Sequence, residues 1–414
     1  MKARLKKIME DTKVLKALTQ IKEDAERTVE EQIELCSIPA PSNQEAERAK
    51  RFYEMFKEIG YDNVYLDEVN NVIARYRGKG NGPTVLISAH MDTVFDLDVD
   101  CTPKIKNGII YAPGIADDSR GMAEVLTLAR VIKEHTILSQ GDILFAGTVG
   151  EESLGNLRGV RNIFANIDDI DAFISIDGAH PDALTFNALG SCKYRVTYRG
   201  TGGHAYRDFG FPNANFALAR AVAKIAEIPV PKTPRTVYNV GIIKGGVAIN
   251  GIPSESVMYA DLRSVSVEEL EKLRDKVVAA ASAACTEENN RWLHPTEKVT
   301  VDIECLGERP CGQQPLDAPI VQGAIAAIKL FGGEPRLTPA ASTDSNIPIS
   351  LGIPAVTVGR GGFGKYGHTV NEQYDPTDAH IGPQRTLALA LLLTGLSGVS
   401  EPIIGKRATA ASPF

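Results

Sequence analysis

No run of apolar residues in this 414-residue chain is long enough to span a bilayer. The longest, LALALLLTGL at 387–396, suits a buried helix instead. The basic start, MKARLKKIMEDTKVLKAL, lacks the apolar stretch and small-residue cleavage site of a secretory signal, so a cytoplasmic protein is expected. The six cysteines, at 36, 101, 192, 285, 305 and 311, contain no CxxC pair. Thiols scattered in this way read as reduced and structural, not as a metal site. There is no block of like charge, and the net charge of −7 argues against a nucleic-acid partner. Internal repeats, low-complexity segments and a glycine-rich phosphate loop are also missing.

What is present is an alternation of strands and helices. Residues 11–35 read as one helix, and 43–59 as a second that Gly60 ends. YDNVYLDE, NVIARYRG and TVLISAH come next as strands, then an amphipathic helix at 119–134. GDILFAGTVGEE and AFISIDG are apolar strands that end in acids, with a helix near LRGVRNIFANI between them. This order implies an α/β sandwich with a mostly parallel sheet. Near 189 the pattern changes to alternating strands and two helices, including 267–284, as in an antiparallel α+β domain. The α/β pattern resumes near 310, with a helix at 318–331, a strand at PAVTVG and a helix at 382–398. Residues 1–188 and 309–414 are therefore expected to form one discontinuous domain, and 189–308 an inserted one.

The strand ends carry the chemistry. Ligands in open α/β sheets bind beyond the carboxyl ends of the strands. Here those ends hold His90 and Asp92, Glu151 and Glu152, and Asp177; Asp117 and Asp118 precede a helix, and His368 lies in a glycine-rich loop. Alone, each has an ordinary explanation: a hydrogen-bonded histidine, a helix cap, a solvated acid pair. Together in one cleft, so many carboxylates would repel and protonate unless positive charge sat among them. Imidazole and carboxylate donors without thiolate fit zinc, with manganese or cobalt as substitutes. Asp92, two residues from His90, is placed to accept its other ring N–H. Of Glu151 and Glu152, one can bind metal while the other acts as general base, and spacing alone does not say which.

The motifs SAHMDTV (88–94), APGIADDSRG (112–121), AGTVGEESLGNLRG (146–159), ISIDG (174–178), GTGGHA (200–205), GGVAINGIP (245–253), DLRS (261–264), STDS (342–345) and GKYGHTVNEQY (364–374) occur in this order. With them the chain resembles the two-zinc amidohydrolases and exopeptidases that include tripeptidase T, carboxypeptidase G, aminoacylase, acetylornithine deacetylase and succinyl-diaminopimelate desuccinylase. The resemblance implies a three-layer catalytic sandwich interrupted by a lid domain that dimerises. It implies that Asp117 bridges two Zn²⁺ ions, one completed by His90 and Asp177, the other by Glu152 and His368. Glu151 would be the general base, Asp92 would orient His90, and the Asp117–Asp118 peptide would be cis. His204 would reach the partner subunit's site to hold the oxyanion, while Arg263 and Asn250 grip substrate. Glu372 would lie just behind the ligands, and His180, three residues past Asp177, is close by sequence.

The implied activity is hydrolysis of small amides. A di- or tripeptidase is expected, because Asp at 177 and the stretch IDGAHPDALTFNA match the peptidase branch. The alternative is an N-acyl-amino-acid deacylase. A non-catalytic metal-binding interaction protein would be expected to have lost Glu151 or a ligand, and none is lost.

Overall fold

The computed structural model describes residues 1–407 apart from 81 and 293. By backbone contacts the chain divides into two units: Met1–Ala188 with Gln313–Phe414, and Leu189–Gly312.

The first unit is built on eight strands, in the order Val64–Leu66, Val72–Tyr76, Ile143–Thr148, Thr84–His90, Ile170–Gly178, Ala355–Gly359, Ala183–Thr185 and Arg336–Thr338. The four from Ile143–Thr148 to Ala355–Gly359 are mutually parallel. All of Thr84–His90 and Ile143–Thr148 is buried, as the continuous apolar runs require of strands covered on both faces. Alternate residues enter different cores. Val85, Ile87, Ile143, Phe145, Ala172 and Ile174 pack on one face with the helices Ala46–Ile59, Ser119–Glu134, Pro319–Leu330 and Ile381–Thr394. Leu86, Leu144, Ala146 and Phe173 pack on the other with the helices Arg158–Asn166 and Asn346–Ser350. This is the expected three-layer sandwich.

Some limits differ from the sequence reading. Residues 11–35 form two helices, Thr12–Glu23 and Ala25–Cys36, because Asp24 leaves helical geometry at ψ 13°. A one-residue break barely disturbs the apolar period, so the pattern did not reveal it. The final helix stops at Thr394, where Gly395 takes φ 75°. Four short strands, Phe363–Lys365, Gln373–Asp375, Ile109–Tyr111 and Lys104–Lys106, form a further sheet that the sequence did not suggest.

The second unit is a four-stranded antiparallel sheet, ordered Thr236–Gly245, Glu255–Ser264, Gly190–Arg199 and Thr300–Arg309. Met258, Ala260 and Leu262 alternate with more exposed residues, and Met258 and Leu262 pack against the helices Ala214–Ala226 and Val267–Trp292. The latter runs eight residues beyond the expected 284. Arg309 still pairs with Ser191, so the return crossing lies past the expected limit at 308.

Phe145 is fully buried and packs near Phe56 and Tyr61, with ring centroids 6.3 and 6.1 Å away. Phe145→Ala is expected to destabilise the first unit by about 3–5 kcal/mol, read as a lowered midpoint in urea unfolding. A shift well under 1 kcal/mol would mean that this cluster does not anchor the sheet.

Candidate metal centre

Because four parallel strands end side by side, His90, the turn at 149–152, Asp177 and residue 360 come together at one edge of the sheet. Asp117 enters from the loop before Ser119–Glu134, across a cis peptide to Asp118. His368 enters from the loop after Phe363–Lys365, with φ 62°.

Asp117 lies at the centre. Its Oδ1 is 3.1 Å from His90 Nε2, and its Oδ2 is 3.2 Å from His368 Nε2. Asp177 Oδ1 lies 3.8 Å from His90 Nε2, and Glu152 Oε1 lies 2.7 Å from His368 Nε2. Each imidazole therefore faces one oxygen of Asp117 and one further carboxylate. Ligand atoms of His90, Asp117 and Glu152, and of His90, Asp118 and Asp177, cluster within 4.8 Å. Asp118 is already committed: it accepts the N–H groups of His90 and Gly121, capping the helix. The side chain of His90 is 2% exposed and that of His368 57%, so the cluster opens to solvent on the His368 side.

Asp92 departs from the expected arrangement. His90 Nδ1 is 3.0 Å from the main-chain oxygen of Asp92 and 3.6 Å from its carboxylate, beyond a good hydrogen bond. The carboxylate instead accepts the N–H groups of Glu151 and Glu152, both at 2.9 Å, and the Ser42 hydroxyl at 2.5 Å. A buried turn must satisfy its N–H groups, and this carboxylate supplies two of the acceptors. Asn71 Oδ1 takes the N–H of Val149, and Glu45 Oε1 that of Gly150. Three side chains thus hold the turn that presents Glu151 and Glu152. Glu372 does the same for the other loop, accepting the N–H groups of Gly114, Ala116 and Asp117 at 2.8–2.9 Å.

Arg360 was not recognised from sequence. Its buried guanidinium lies 3.1 Å from Asp117 Oδ1, 3.1 Å from Asp118 Oδ1 and 3.8 Å from Asp177 Oδ1. The signal was available, because Arg360 directly succeeds a strand that ends at the same sheet edge. Ser42, Glu45 and Asn71 precede the strand-end motifs, and nothing local marks them.

Charge in the cluster is unevenly balanced. Burial pushes Asp117 up, but Arg360, His368 and His90 outweigh it and hold the carboxyl well below its usual range. Burial pushes Asp177 up to about 6, with Asp117 adding to the rise and His90 opposing it. Hydrogen bonds to Asp117 and Glu152 push His368 up to about 10. Glu372 is pushed up to about 6 by burial and by Asp117.

The remaining sequence candidates belong to the second unit. Gly203–His204 pairs with Gly251–Ile252, and Ala205 N–H donates to the Asn250 carbonyl at 3.0 Å, so His204 and Asn250 are neighbours. Arg263 lies on the Glu255–Ser264 strand and donates from Nε to Asp261 at 2.8 Å. In the first unit, His180 Nδ1 accepts the N–H of Asp182, and its ring packs edge-on near Phe363.

Residues 86–392 match the model of peptidase family M20/M25/M40. The chain belongs to this family. It is accordingly a metal-dependent hydrolase of peptide or amide bonds, as the resemblance implied. A Bacillus subtilis protein of the same family with a similar fold is a dinuclear metal-binding peptidase. The chain is 24% identical to succinyl-diaminopimelate desuccinylase from Corynebacterium glutamicum, over 79% of this chain and 86% of that protein. It is 26% identical to carboxypeptidase G2 from a Pseudomonas species, over 79% of this chain and 77% of that protein. Its fold is similar to that of aminopeptidase PepT from Bacillus cereus, with a TM-score of 0.72 and 25% identity, covering 88% of this chain and 97% of that one.

Asp92→Ala leaves two buried N–H groups without their acceptor and is expected to cost about 1–3 kcal/mol for each in thermal unfolding. Asp92→Asn should cost less, since its amide oxygen still accepts. Equal losses in both variants would show that these bonds are not what Asp92 contributes.

Proposed function

We propose that this M20-family protein is a di- or tripeptidase that releases residues from short peptides. The observation that carries the metal part of this reading is the Asp117 carboxylate, whose two oxygens face different histidines. His90, Asp117 and Asp177 would hold one ion, and Asp117, Glu152 and His368 the other. The donors are nitrogen and oxygen throughout, which suits Zn²⁺, with Mn²⁺ or Co²⁺ as substitutes. Bound there, two divalent ions would polarise the scissile carbonyl and acidify the attacking water.

The base assignment has support from the pair itself. The Glu152 carboxylate faces His368, as a ligand of the second ion would, and Glu151, presented by the same turn, would take the proton of the attacking water and pass it to the leaving amine. Asp92 orients both glutamates through their N–H groups and His90 through its own carbonyl. His204 would donate to the developing oxyanion of the partner subunit's substrate, which requires a homodimer formed through the second unit. Arg263 and Asn250 would hold a substrate carboxylate, a task suited to a guanidinium fork. Six free cysteines accord with a cytoplasmic setting.

The peptide reading draws on the likeness to aminopeptidase PepT. Similarity to succinyl-diaminopimelate desuccinylase favours a second reading, an N-acyl-amino-acid deacylase. Zinc-loaded protein assayed with dipeptides, tripeptides, N-acetyl and N-succinyl amino acids separates the two, and turnover should vanish with a chelator. Glu151→Gln should lower kcat by about 10²–10⁴-fold with metal content unchanged; near wild-type turnover would remove Glu151 as the base. Sedimentation at micromolar concentration should give a dimer. A fully active monomer would exclude a trans role for His204.

A further inference from the structure

Arg360 stands where positive charge is scarce and metal is expected. Its main-chain N–H donates to Gly178 O at 3.1 Å, and its guanidinium donates to Ala116 O. It is thus tied to the strand end and to the Asp117 loop by main-chain contacts as well as by acids. Arginine does not lose its proton in proteins, so this charge is permanent.

The contacts of Arg360 are one-sided. Besides Asp118, whose carboxylate caps a helix, they run to Asp117 Oδ1 and Asp177 Oδ1, the two carboxylate oxygens that would serve an ion beside His90. The position beside His368 draws on Asp117 Oδ2 and Glu152 Oε1 instead. We infer that Arg360 is a positioning residue that weakens divalent-cation binding at the His90 position, so that the His368 position fills first. Two effects act together. A fixed cation a few ångströms away repels the incoming ion. Asp117 Oδ1, which already accepts from the guanidinium at 3.1 Å, has less electron density left to give a metal. In return, Arg360 keeps Asp117, Asp118 and Asp177 gathered before any metal arrives.

The inference rests on the metal-ligand reading above, and the test separates the two. Metal-free protein is titrated with Zn²⁺ in a calorimeter. The wild type should show one tight and one weaker step. His368→Ala should abolish the tight step and His90→Ala the weaker one. Arg360→Met should tighten the weaker step by roughly tenfold or more, while Arg360→Lys, which keeps the charge, should stay close to the wild type. An unchanged or weakened second step in Arg360→Met would overturn the inference and leave the metal reading standing. So would loss of the weaker step in His368→Ala, a result that does not depend on whether Arg360→Met folds. A wild type that takes up no Zn²⁺ would overturn both.

Discussion

The carboxylate of Asp117 between two imidazoles is the interaction around which the first unit is arranged. Buried carboxylates are costly unless paired, and here several converge at one sheet edge. The chain meets that cost with two histidines, one arginine and a set of main-chain N–H donors. His90 and His368 each take one oxygen of Asp117. Arg360 bridges Asp117, Asp118 and Asp177 from the protein side. Burial raises Asp177 to about 6, and hydrogen bonds to Asp117 and Glu152 raise His368 to about 10, so the cluster favours added positive charge.

Precision at the site depends on carboxylates and amides that do not face it. Glu372 gathers three N–H groups of the loop carrying Asp117. Asn71, Glu45 and Asp92 together secure the four N–H groups from Val149 to Glu152. A loop held in this way has few alternative conformations, so its glutamates arrive oriented. That is the usual requirement for ligands and bases that must act at fixed distances.

The second unit has a different logic. Its antiparallel sheet covers one face with two helices and leaves its other face partly exposed, as the alternating burial of Glu255–Ser264 records. His204 and Asn250 sit together at a two-residue strand pairing. A short ladder of that kind presents side chains without burying them.

Much of this was legible in the sequence. Buried parallel strands announce themselves by unbroken apolar runs, and the sheet rule then points to the residues just past each run, so His90, Glu151, Glu152, Asp177 and His368 stood out together with Asp117. The order of the motifs was enough to identify the family. The sequence did not reveal interactions that join distant segments. Nothing local to Glu45, Asn71 or Ser42 shows that they meet a turn 78 to 110 residues away. Asp92 was recognised as a partner of His90, yet its carboxylate serves the glutamate pair and its carbonyl the imidazole. Only the folded chain decides which acceptor a buried N–H finds. Arg360 is the sharpest case. Local pattern places a cation at a strand end, but its position against three aspartates from other segments comes from the parallel order of the strands, which is a property of the tertiary fold.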